Sequence, residues 1–157
     1  MKIEMLRVDE RLLHGQILLK WMEEAGCTKV VFVDDETAEN PVMKKILELS
    51  FPPGYECSIQ GISGFRGLME AQGEEKSFVV VKKISTLYEM FKQGYVPGII
   101  NLGNTSYGIG KLKLAQGVYT TLREKEQLME ISLRAALFYQ PVPDSRKVNI
   151  NQLLGHI

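Results

Sequence analysis

Short apolar runs alternate along the chain with segments whose apolar residues recur at helical spacing. Ile3 to Val8 is the first run. Ile17, Leu18, Trp21, Met22 and Ala25 then fall on one face of an amphipathic helix, with Gly26 placed to cap its C-terminus. Val30 to Val33 reads as a buried strand. Asn40 before Pro41 reads as the N-cap and first residue of a helix that packs Met43, Ile46 and Leu47, and Pro52, Pro53 and Gly54 end that region. A strand near Glu56 to Ile59 and a helix after Ser63 follow. The unbroken apolar run Phe78 to Val81 suits a central parallel strand. Ser85 is expected to cap a helix carrying Leu87, Met90 and Phe91, closed by Gly94. Ile99 to Leu102 predicts another strand, after which Gly103, Asn104, Gly108 and Gly110 mark an irregular loop. Thr121 and Glu124 form a capping box before a helix around Leu128 to Leu133. Leu137 to Gln140 is the last clear strand, stopped by Pro141 and Pro143, and Asn149 to Leu154 reads as a short terminal helix.

This alternation of strand and helix predicts an α/β fold. A single domain over residues 1–157 is expected to form a doubly wound, mostly parallel sheet of about six or seven strands with helices on both faces.

Composition narrows the function without naming it. Hydrophobic residues make up 45% and charged residues 24%, the balance of an ordered globular domain. Lys and Arg number 19 against 19 Asp and Glu, so the basic excess that holds proteins to phosphate backbones is missing and nucleic acid is not an expected partner. Cys27 and Cys57 stand apart, form no CxxC pair and read as reduced, cytosolic thiols. The first residues lack a basic stretch followed by an apolar one, and no apolar run nears a membrane span, so neither export nor insertion is expected.

One segment concentrates chemistry: Arg7-Val8-Asp9-Glu10-Arg11-Leu12-Leu13-His14-Gly15-Gln16, which joins the first strand to the first helix. In open α/β sheets, ligands bind beyond the carboxyl ends of the strands, and this loop leaves one of them. Its second half enters a helix N-terminus, where free N–H groups favour an anion. A neutral imidazole such as His14 is a competent nucleophile near pH 7 and can carry a phosphoryl group on either ring nitrogen. Arg11 and Arg7 lie three and seven residues earlier and could turn their guanidinium forks toward phosphate oxygens. Asp9 could orient one of the arginines or the imidazole.

Each of these residues has a plainer reading. A histidine beside a helix start is more often a cap than a catalyst, and the arginines could be solvated charges. Trp21 shares a stripe with Ile17 and Leu18 and reads as core. His156 reads as surface at a fraying end. Asp34, Asp35, Glu36 and Glu39 suit a helix cap and dipole better than a metal site. Lys82 and Lys83 follow a central strand and could face the crevice or only solvent.

RVDERLLHGQ followed by Trp21 resembles the signature of the enzyme IIB components of the mannose/fructose/sorbose class of the bacterial phosphotransferase system, and the likeness runs nearly end to end. Val33-Asp34-Asp35-Glu36 with Ala38, Pro52-Pro53-Gly54, Asn101-Leu102-Gly103 and Val142-Pro143 are also family-like. The resemblance implies a cytoplasmic subunit, peripherally associated with a membrane permease. It would accept a phosphoryl group from a phosphorylated IIA protein or domain and pass it to a sugar entering through IIC and IID membrane subunits, a sugar phosphotransferase activity. By motif position His14 would be phosphorylated, on Nδ1, with Arg11 and Arg7 steadying the group, and no metal or organic cofactor is implied. A homodimer is left open. Where many members have a second glycine and a methionine after Gly103, this chain has Asn104 and Thr105, and Ala135-Ala136 replace a common helix-ending glycine.

Two rival classes stand beside this one. A histidine phosphatase-like enzyme would carry Arg-His-Gly, whereas Leu13 precedes His14 here. A non-catalytic anion- or sugar-phosphate-binding module would use the same loop without covalent chemistry. Residues 7–14 sum to zero charge, so the phosphoryl reading becomes geometric. Both guanidiniums and the helix N-terminus should converge on His14, with Glu10 turned away and Asp9 engaged in an orienting bond.

Overall fold

Strands and helices alternate as the apolar pattern predicts in the computed structural model, which describes residues 1–11, 15–71 and 73–155. The first half of the chain runs β1 (Lys2–Asp9), α1 (Gly15–Ala25), β2 (Lys29–Val33), α2 (Asp35–Ala38), α3 (Pro41–Leu49), β3 (Glu56–Gln60), α4 (Ile62–Glu70) and β4 (Lys76–Val81). The second half runs α5 (Ile84–Lys92), β5 (Ile99–Asn104), β6 (Leu112–Ala115), β7 (Val118–Thr120), α6 (Leu122–Ser132), β8 (Ala136–Tyr139), β9 (Val148–Asn149) and α7 (Ile150–Leu154). Seven strands form one sheet in the order β3-β2-β4-β1-β5-β8-β9, parallel except for the short β9, while β6 and β7 pair as a separate antiparallel hairpin.

That order puts β1 in the middle, between β4 and β5. The chain leaves β1 toward β2 on one side, whereas the connection from β4 to β5 passes β1 in the opposite direction. The carboxyl end of β1 is therefore a topological switch point, the position at which doubly wound sheets open a crevice for a ligand.

Period-two alternation sorts the side chains of the central strands. Leu6 and Val8 of β1 join Val79, Val81, Ile100 and Leu102 in the larger core, which Phe65, Leu87, Met90, Leu128 and Ile131 cover from α4, α5 and α6. The opposite face packs Val30, Phe32, Phe78 and Val80 against Leu18, Trp21, Met22 and Leu47 of α1 and α3. Met5 packs against this second core, and by parity Arg7 and Asp9 share its side of the sheet.

Helix ends follow the local chemistry. Asn40 accepts from the N–H groups of Val42 and Met43 ahead of Pro41, and Thr121 and Glu124 make both bonds of the capping box. Ser85 corrects the expectation: the N-cap position of α5 is Lys83, no side chain caps it, and Ser85 lies inside the first turn. Burial decides this start, because Ile84 is wholly enclosed in the core and brings the helix forward.

The loop expected after Gly103 contains the β6–β7 hairpin. Leu114, Val118 and Thr120 are its buried residues, and Gly117 takes φ +77° at the turn, a left-handed conformation that glycine adopts without strain. Asn104 and Thr105 stitch it to β5: Asn104 Nδ2 donates to Gly117 O at 3.0 Å, and Thr105 Oγ1 donates to Tyr119 O at 2.7 Å. Cys27 and Cys57 are free thiols, and burial pushes Cys57 up to about 12. Among the described residues, no helix is long and apolar enough to cross a membrane.

Candidate functional site

Arg7 is a cation on a central strand with only 1% of its surface exposed. Such a charge is costly unless its donors are satisfied, and here nearly all of them are. Nε donates to Asp9 Oδ2 at 3.3 Å. Nη1 donates to Asn101 Oδ1 and to the carbonyl of Gln140, both at 2.7 Å, and Nη2 to the carbonyl of Pro141 at 2.8 Å. Parallel register makes the Asn101 bond available, because Arg7 on β1 stands opposite Asn101 on β5. Burial pulls the guanidinium below its ordinary pKa, and the charge and hydrogen bond of Asp9 push it back up.

The two faces of this guanidinium are closed as well. Trp21 lies over it, 4.6 Å from carbon to ring centroid, a cation–π contact made inside the core. On strand β5, Gly103 leaves just enough room: a Cβ there would fall within the guanidinium, 2.7 Å from Nε. Trp21 is core, as its stripe predicts, and at the same time the lid of the Arg7 site. Substituting Gly103→Ala should therefore cost about 1–3 kcal/mol through overpacking. Urea unfolding measures this, and an unchanged midpoint would mean that Arg7 can move aside freely.

Asp9 is the centre of the site. One carboxylate oxygen, Oδ1, accepts from the Arg11 main-chain N–H at 2.9 Å and from Arg11 Nε at 3.1 Å. The other, Oδ2, accepts from Arg11 Nη2 at 3.1 Å and from Arg7 Nε. Asp9 thus binds both arginines, and the three charges leave one net positive. Arg11 is the outer member, with a third of its side chain exposed, and its Nη1 group has no partner among the described residues. Glu10 is engaged elsewhere, its main-chain N–H on Asn104 O and its carboxylate on the N–H of Ser106.

The structure brings Arg7, Asp9 and Arg11 together; His14 lies outside the described residues, as do Leu12, Leu13 and His156. α1 begins at Gly15, the residue bonded to His14 in the chain, and its first turn carries no acidic residue to offset the helix dipole. Asn101, Gly103 and Gln140 are participants that local sequence reading does not single out. Their signal is positional: Asn101 stands opposite Arg7 in the β1–β5 register, Gly103 is one residue from the end of β5, and Gln140 directly follows β8.

The remaining rim residues are spent on structure. Asp34 caps α2 by accepting from Thr37 N and Oγ1, with Lys82 Nζ at 4.0 Å, and Lys83 pairs with Glu36 at 3.4 Å. The cavity among Arg7, Asp9, Arg11, Trp21 and their apolar neighbours is about 20 Å³, space for one water rather than for a small molecule, whose pockets usually run to roughly 300–1,000 Å³. A larger rim cavity of about 360 Å³ beside Lys83 and Arg123 is edged by Asp34, Asp35, Glu36 and Glu89, which oppose a bound phosphate.

Comparison with known proteins agrees with the fold and the motif. Residues 3–157 match the family model described as PTS system sorbose subfamily IIB component. The N-acetylgalactosamine-specific phosphotransferase enzyme IIB component 2 of Escherichia coli is 28% identical over 154 residues, covering 97% of this chain and 98% of that one. The mannose-specific EIIAB component of E. coli is 22% identical over all of this chain, which spans 50% of its length. In fold, the IIBSor domain of the sorbose permease from Klebsiella pneumoniae superposes with a TM-score of 0.93 at 22% identity, over 99% of this chain and 98% of that domain.

Proposed function

Because the chain belongs to the sorbose subfamily of IIB components of the sugar phosphotransferase system, we propose that it is a phosphocarrier whose His14 takes a phosphoryl group from a phosphorylated IIA histidine and yields it to a sugar at the IIC/IID permease. The observation that carries this reading is the fastening of Arg11. Asp9 holds its Nε and Nη2 from behind, leaving Nη1 unbound among the described residues, three positions before His14 in the chain and on a cavity that Ile17 and Leu18 of α1 also line.

In the first step, the lone pair of His14 Nδ1 attacks phosphorus, the donor's N–P bond breaks and its electron pair returns to the donor imidazole. In the second, a sugar hydroxyl oxygen attacks the same phosphorus and gives its proton to solvent, while the bond from phosphorus to His14 Nδ1 breaks and its electron pair returns to the imidazole. Charge on the transferring group spreads over its outer oxygens, so fixed cationic donors stabilise the transition state more than the ground state. Arg11 touches that group through Nη1. Arg7, with nearly all its donors committed, acts by holding Asp9. The net charge of +1 among the three residues suits a group that must arrive and also leave.

The donor partner is a IIA protein, a reading supported by the EIIAB name of the mannose-specific relative that this chain half spans. The work is done at the cytoplasmic face, where the chain docks on its permease.

The test is to supply phosphoenolpyruvate, the general phosphotransferase proteins and a cognate IIA protein. The chain should acquire acid-labile phosphate. An anion- or sugar-phosphate-binding module would instead bind inorganic phosphate with no covalent label. In the same assay, Arg11→Ala should slow transfer by roughly 10²–10³-fold. Its effect on stability should be small, since Arg11 is partly exposed and Asp9 keeps Arg7. An unchanged rate would remove Arg11 from the mechanism.

A further inference from the structure

Arg7 is held by a piece of chain 133 positions away. The carbonyls of Gln140 and Pro141 that receive its Nη1 and Nη2 lie just past β8, where Pro141 and Pro143 have no N–H to extend the ladder. The turn that presents them is tied by one side chain. Gln140 Nε2 donates to Pro143 O at 3.1 Å and to Ser145 O at 3.0 Å, and Gln140 Oε1 accepts from Asn101 Nδ2 at 3.2 Å. Asn101 passes the link on, since its Oδ1 accepts from Arg7 Nη1. Gln140 is 5% exposed, so little water competes for these bonds.

Three of the four hydrogen-bonding positions of the Gln140 amide are thus engaged: both Nε2 hydrogens on the 143–145 segment, and one acceptor position of Oε1 on Asn101. A glutamine placed this way does more than fill space. It sets the direction of two carbonyls and of one neighbouring amide, and these three acceptors fix Arg7 in its plane between Trp21 and Gly103. Arg7 in turn fixes Asp9 Oδ2, the oxygen that also receives Arg11 Nη2.

We propose that Gln140 is a positioning residue for phosphoryl transfer, its amide clamping the segment after β8 onto Arg7 and so setting, through Asp9, the aim of Arg11. The proposal rests on the phosphocarrier reading above. It adds a side chain from the far end of the chain to a site whose charged residues come from β1 and the residues that follow it. Misplacement of a transition-state donor by a fraction of an ångström to an ångström lowers the rate constant without weakening encounter with the donor protein.

Two variants test it. Gln140→Leu removes the amide, and Gln140→Glu keeps its shape while the ionised carboxylate loses both donors to Pro143 and Ser145. Each is examined by nitrogen-edited NMR of the Arg7 guanidinium and by steady-state transfer from phosphorylated IIA. The expected result is displaced, motionally averaged Arg7 signals, kcat lower by roughly tenfold to a hundredfold, and an unchanged KM for the donor. Unchanged Arg7 signals in both folded variants would overturn the proposal. So would displaced signals with a wild-type kcat, or a loss confined to KM. If the natural chain itself takes no phosphoryl group, the phosphocarrier reading fails, and that result is separate because the Arg7 spectra are read without activity.

Discussion

Replacing Asp9 with alanine is expected to destabilise the protein by about 3–5 kcal/mol, the usual cost of breaking a buried ion pair from one side. Arg7 is the reason. Its guanidinium is almost wholly enclosed, and Asp9 is the carboxylate that binds it. The carbonyls of Gln140 and Pro141 and the Asn101 amide would remain, but dipoles alone do not replace a counter-charge in the interior. For a domain of this size the loss corresponds to a fall in Tm of roughly 10 °C or more. Thermal unfolding followed by circular dichroism measures it.

The same substitution should disable transfer beyond its effect on stability, because Arg11 loses the acceptor of its main-chain N–H and of both side-chain bonds. Asp9→Asn separates the two effects. It keeps one acceptor oxygen and the shape, so it should be milder in stability while still releasing half of the Arg11 fork. A folded Asp9→Ala protein with wild-type Tm and wild-type transfer would show that Arg7 and Arg11 are held by something other than Asp9.

Much of this architecture is legible in the residues themselves, for reasons that differ from element to element. Phe78 to Val81 declares a central strand because a strand covered on both faces must be apolar at every position, and β4 is buried from Ser77 to Val81. Thr121 with Glu124 declares a helix start because the capping box is a local device that needs no tertiary partner. Ser85 misleads for the opposite reason: it has the chemistry of a cap, yet Ile84 must be buried, and packing overrides the local preference. The β6–β7 hairpin is hidden by the glycines that precede it. Its own signal is Gln116-Gly117 between Leu112-Lys113-Leu114 and Val118-Tyr119-Thr120, a turn between two alternating runs.

The site divides in the same way. Arg7, Asp9 and Arg11 stand close in sequence, and a strand that ends at Asp9 brings the two guanidiniums to one carboxylate. Asn101, Gly103 and Gln140 cannot be found by proximity along the chain, because they reach Arg7 through strand register and sheet order, and Trp21 reaches it through the packing of α1 on the sheet. Counting charges hides the site altogether. Glu10 cancels an arginine in the sum, but in space its carboxylate serves Ser106, so the cationic character around Asp9 survives.

If His14 carries the phosphoryl group, the group must be found on the peptide that contains it. The natural chain and His14→Ala, both checked for folding, are phosphorylated through IIA, digested at alkaline pH and mapped by mass spectrometry, with phosphorus NMR to identify the nitrogen. One phosphoryl group is expected on the peptide containing His14, bonded to Nδ1, and none on the His14→Ala chain. Acid-labile phosphate retained by His14→Ala, or found on His156, would contradict it.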